Sequence, residues 1–102
     1  MSDHLNIDEI TNTFSDKITS APPLSGTLKV VIENVGTVYL ENLDNNNVAS
    51  NKDAEADCAV HMSEETFQQL LSGELSGMAA FMQGKLDVKG DMSIAMHLGN
   101  FI

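Results

Sequence analysis

Residues 63–98 read SEETFQQLLSGELSGMAAFMQGKLDVKGDMSIAMHL, and the succession of elements in this stretch decides the fold. Ser63 has the chemistry of a helix cap, Glu64 and Glu65 fall in the first turn where the helix dipole favours anions, and Phe67, Leu70 and Leu71 make an apolar stripe. Gly73 ends that helix. Ser76 caps a second, short helix in which Met78, Phe81 and Met82 share a face, and Gly84 closes it. Between Gly84 and Gly90 the run KLDVK alternates as a strand does, with Leu86 and Val88 inward and the charges outward. Asp91 caps a last helix that carries Met92, Ala95, Met96 and Gly99 on one stripe and Ile94, Leu98 and Phe101 on a neighbouring one. Two adjacent stripes exceed what contact with one sheet requires, so this helix is either deeply embedded or covered on its second side.

Working outward, the chain upstream supplies a helix and the partners for a sheet. Ile7, Ile10, Phe14 and Ile18 recur at spacings of three and four, which predicts a helix over residues 6–20, capped by Asn6 and ended before Pro22 and Pro23. Leu5 and Ile10 have the spacing of a hydrophobic staple. The runs TLKVVIEN and TVYLEN alternate, with Leu28, Val30, Ile32, Val38 and Leu40 on one kind of face, and Asn34-Val35-Gly36 between them reads as a hairpin loop. The following LDNNNVASNKDAEA is dense in Asn, Asp and Ser and reads as a turn or flexible loop. A further strand, ADCAVHM, sets Cys58, Val60 and Met62 on one side and His61 on the other.

Composition narrows the function classes. A length of 102 residues with 42% hydrophobic and 20% charged residues is one globular domain, taken as residues 1–102. Five Lys and no Arg against fifteen acidic residues give a net charge of −10, which repels phosphate backbones and anionic lipid surfaces, so no nucleic-acid partner is expected. No apolar run is long enough for stable membrane insertion, the first residues are acidic where a secretory leader would be basic, and the single Cys58 cannot form an internal disulfide; a cytoplasmic location is the expectation.

The stretch from Ser63 onward resembles the sterol carrier protein type-2 domain family. The matching features are Leu-x-x-Gly-x-Leu at Leu70 to Leu75, Ala-Phe-Met-x-Gly-Lys-Leu at Ala80 to Leu86, a Lys-Gly-Asp corner at Lys89 to Asp91, and the closing apolar helix from Met92. The similarity spans roughly residues 54–99 and is looser upstream, where the aromatic content of the hairpin is reduced to Tyr39. What the resemblance implies is an α+β fold, with a mostly antiparallel sheet of about four to five strands covered by helices and an apolar cavity between them. It also implies binding of a fatty acid, acyl-CoA, sterol or isoprenoid lipid without chemistry of the domain's own.

Physical chemistry gives such a site a recognisable composition. Burying a hydrocarbon tail yields roughly 0.8 kcal/mol per methylene, so polar groups are needed only to orient one end. Unbranched thioethers repack around differing tails, which makes Met78, Met82, Met92 and Met96 the first candidates for a lining, joined by Phe67, Leu71, Phe81, Ile94 and Phe101. The same stripes also read as ordinary core. Lys85 and Lys89 either meet a headgroup or form the solvated side of a strand.

No catalytic, metal or cofactor site emerges. His4, His61 and His97 lack ligand spacing with each other or with Cys58, which reads as a small buried apolar residue. The expected function is therefore non-enzymatic lipid carriage; the alternative is an interaction module whose apolar C-terminal helix docks on a lipid-handling enzyme or pairs in a homodimer.

Overall fold

A computed structural model describes residues 6–19 and 23–96, with side chains to Ile94. The elements in chain order are α1 (Ile7–Thr19), β1 (Leu28–Ile32), β2 (Gly36–Leu43), β3 (Asn46–Ser50), β4 (Cys58–Met62), α2 (Glu64–Ser72), α3 (Gly77–Met82), β5 (Asp87–Gly90) and α4 (Met92–Met96). The five strands form one sheet in the order β3-β2-β1-β4-β5, antiparallel at every junction except the parallel β1–β4 pair. The fold is the α+β class read from the sequence. Leu5 of the suggested staple and the stripe positions from Leu98 to Phe101 lie outside the described residues.

Register places the apolar half of each strand on one side. Val30 stands opposite Val38 on β2 and opposite Val60 on β4, which in turn faces Val88 on β5, so a row of β-branched side chains crosses four strands. Such side chains are stiff and pack well on a pleated surface. Onto this row α1 lowers Ile10, Phe14 and Ile18, α2 adds Phe67 and Leu70, α3 adds Ala80 and α4 adds Ile94, all in one buried cluster. Phe14 and Phe67 stack with ring centroids 6.0 Å apart, which joins the first helix to the second across the sheet.

The stretch from Leu43 expected to be a turn or loop contains a strand. Asp44 and Asn45 take the left-handed conformation, with φ of 51° and 68°, and Leu43 pairs with Asn46, which makes a two-residue hairpin leading into β3. Asn density misled because these side chains serve the backbone. Asn47 accepts from Leu24 N and donates to the Ile18 carbonyl at 2.8 Å, and Asn51 donates to the Thr11 hydroxyl at 2.8 Å and to the Thr37 carbonyl at 3.0 Å. These bonds fasten α1 to the sheet edge.

From β3 the chain must reach β4 on the other side of β1, and residues 51–57 do so over the sheet face opposite the helices. Tyr39 is buried beneath this strap and its hydroxyl donates to the Glu55 carbonyl at 2.7 Å. Lys29 pairs with Asp53 at 3.1 Å, and Lys52 lies 5.2 Å from the Tyr39 ring centroid while bonding Glu41. A reciprocal pair then sets the start of both parallel strands: Thr27 N donates to Asp57 Oδ2, and Asp57 N donates to Thr27 Oγ1.

Candidate functional site

The helices after β4 begin and end where short-range chemistry dictates. Ser63 Oγ accepts from Thr66 N at 3.1 Å to cap α2, which ends at Gly73 in the left-handed region. Ser76 Oγ repeats the cap for α3 by accepting from Ala79 N. At the other end of α3, Gly84 adopts φ of 75°, and the N–H groups of Gly84 and Lys85 return to the carbonyls of Phe81 and Ala80. That is a Schellman closure, which needs the positive φ that glycine takes without a Cβ penalty. Lys85 Nζ then reaches Gln69 Oε1 at 3.3 Å and ties the turn back to α2.

Ala80 is the buried residue of α3. Met78 and Met82 lie two positions to either side, about 200° away around the helix at 3.6 residues per turn. Seating the smallest side chain against the core therefore turns the two thioethers outward. Met78, Phe81 and Met82 are exposed, as are Leu71 at the departing end of α2 and Met92 at the start of α4. Phe67 and Ile94 lie in the core instead. The Met96 side chain and Phe101 fall outside the described side chains.

The large exposed hydrophobics among the described residues are Leu43, Leu71, Met78, Phe81, Met82 and Met92, so all but the first fall within residues 71–92. Residues 75–84 contain no ionisable side chain, although the chain as a whole carries −10. Lys85 and Lys89 follow this neutral stretch, both exposed, and Glu74 precedes it.

α4 is set by Asp91 and Gly90. Asp91 Oδ1 accepts from Ser93 N at 2.9 Å and from Ser93 Oγ at 2.6 Å, and these two bonds hold its carboxyl below the usual carboxylate range. Gly90, at φ of 104°, passes so near the Asp57 carbonyl that an added Cβ would lie 2.2 Å from the oxygen. From there Asp91 N donates to the same carbonyl, and Ile94 follows into the core. Cys58 is buried and His61 lies on the opposite sheet face, and among the described residues no group of three or more His, Cys, Asp or Glu is placed to hold a metal ion. No helix among them is long and apolar enough to cross a membrane.

A five-stranded mixed sheet covered by helices on one side, with large apolar side chains left exposed between Leu71 and Met92, defines the α+β class of this domain. The chain belongs to the SCP-2 sterol transfer family, whose model matches residues 9–102. Lipid binding or transfer is the general activity of that family. Sterol carrier protein 2 of Homo sapiens is 42% identical over 53 residues, which cover 52% of this chain and 10% of that protein. The chain thus corresponds to a small part of this longer relative. Among solved structures, sterol carrier protein 2 like 2 of Aedes aegypti matches with a TM-score of 0.73 at 18% identity, over 94% of this chain and 95% of that one. A solution structure of the palmitated Aedes aegypti protein matches with a TM-score of 0.66 at 20% identity, over 91% of this chain and 86% of that chain. These likenesses establish the fold, and the family match extends the resemblance upstream to residue 9.

Proposed function

We propose that this chain is a non-enzymatic carrier of a single-chain lipid, fatty-acyl or isoprenoid, held against α2, α3 and α4. The observation that carries the reading is the concentration of exposed Leu71, Met78, Phe81, Met82 and Met92 within residues 71–92, around the uncharged stretch 75–84. Phe67 and Ile94, buried in the core, are the proposed floor of this site. A fatty-acyl chain is favoured by the palmitated state named for the mosquito relative. Each methylene withdrawn from water contributes roughly 0.8 kcal/mol, so a ten-carbon stretch outweighs several hydrogen bonds.

Native mass spectrometry, followed by organic extraction and titration with the fluorescent fatty acid cis-parinaric acid, tests this. Bound lipid or probe uptake is the expected result, and Met82→Glu abolishes it by placing a carboxylate in the tail's path. If nothing lipid-like co-purifies and the probe does not bind, the reading fails.

A second reading has its own support, since the matched region is only 10% of the human relative and therefore sits within a larger protein there. On it, the apolar surface docks on a lipid-handling enzyme or on a second copy. Light scattering separates the two: a concentration-dependent dimer without probe uptake favours docking.

A further inference from the structure

Among the described side chains, the methionines fall into two environments. Met62 on β4 is 2% exposed, whereas Met78, Met92 and Met82 are 59%, 42% and 78% exposed within the surface assigned above to the lipid. A thioether is an apolar side-chain group that a mild oxidant converts directly into a polar one. Access decides where that happens, and here the accessible sulfurs coincide with the apolar surface.

We propose that Met78, Met82 and Met92 are a peroxide-modification site whose oxidation switches lipid binding off. In each reaction the thioether sulfur attacks one peroxide oxygen, the O–O bond breaks, an S–O bond forms, and the second oxygen leaves as water. Sulfur loses two electrons and hydrogen peroxide accepts them. The product sulfoxide is a strong hydrogen-bond acceptor that holds water, so an apolar tail seated on it leaves that acceptor unsatisfied. A methionine sulfoxide reductase, using a thiol as reductant, reverses the change. The consequence for lipid rests on the carrier reading, but the selectivity of oxidation rests on exposure alone.

The whole chain, treated with hydrogen peroxide and mapped by peptide mass, should gain oxygen at Met82 and Met78 first and at Met62 last. Affinity for cis-parinaric acid should fall about tenfold or more, and return after treatment with the reductase. The triple variant Met78→Leu/Met82→Leu/Met92→Leu, which keeps Met1, Met62 and Met96, should change less than about twofold from its own untreated affinity on the same exposure, because the three sulfurs assigned to the switch are gone. The inference is overturned if Met62 oxidises as fast as Met82. It is equally overturned if the sulfoxides form without weakening the probe, or if the triple variant loses affinity as wild type does. Should Met82→Glu also leave binding unchanged, the location of the lipid site fails as well. If only peroxide is without effect, that location stands and the switch alone is wrong.

Discussion

The two flanks of one sheet have been used differently. On the β2–β3 side, α1 closes the surface completely: Phe14 and Ile18 are inaccessible, and the strand residues beneath them, Val38 and Leu40, are too. On the β4–β5 side, α4 approaches with Ile94, while the short helix α3 contributes only Ala80 and leaves its larger apolar side chains outside. A side chain already removed from water contributes its hydrophobic free energy to folding; one left exposed keeps it for association. The first flank therefore commits its apolar side chains to stability, whereas the second, which also buries Cys58 and Val60, leaves some of its own in water, and the carrier reading assigns these to binding.

A pair of truncations can break that contrast. Phe14→Ala removes a fully buried ring that stacks on Phe67, and the lost transfer energy and the cavity should together cost about 3–5 kcal/mol in a urea titration. Met82→Ala, on the open flank, should cost less than about 0.5 kcal/mol, as exposed substitutions do. Equal losses would mean that both flanks stabilise the fold alike and that the contrast is void.

A smaller effect is expected where the flanks meet. Gly90→Ala adds a Cβ 2.2 Å from the Asp57 carbonyl oxygen at a backbone angle that L-residues rarely adopt, so strand and loop must separate. Strain of this kind costs about 1–3 kcal/mol. The same displacement would withdraw Asp91 N from its acceptor, so the loss should appear as faster amide exchange in α4 while α1 keeps its protection. Uniform loss of protection would show instead that the two flanks unfold as one unit.

Much of this arrangement was legible in the sequence, because its punctuation is local. Ser63, Ser76 and Asp91 cap the helices that their positions announce, and Gly84 takes the positive φ that closes α3. Alternation in β1 and β4 also fixes which side chains meet in the core. What could not be read was tertiary in origin. β3 hides in a polar run because its Asn side chains bond to a helix about 30 residues away in sequence, as Asn47 does to Ile18. The orientation of α3 likewise escapes periodicity: Met78, Phe81 and Met82 are the obvious apolar stripe, yet Ala80 is the side chain buried against the core. Hydrophobicity alone ranks the larger residues first, whereas the helix turns a small one inward.

The smallest expected effect tests how α4 is shared between the flanks, since its first residue, Met92, is exposed and Ile94 is buried. Asp91 holds the helix start through the Ser93 hydroxyl and amide, and both bonds favour the carboxylate, which lowers its pKa in the folded chain. Between the lowered value and the ordinary one, the unfolded chain binds more protons, so stability rises with pH across that interval. The contribution is complete above the ordinary carboxylate range and is lost as pH falls through the folded value. Asp91→Asn keeps a capping oxygen but removes the charge, so the variant should be slightly less stable than wild type at neutral pH, converge with it in acid, and show a flatter acid limb in thermal melts. If the acid limbs superimpose, the cap charge contributes nothing, and α4 is held by Ile94 and the bond from Asp91 N to the Asp57 carbonyl alone.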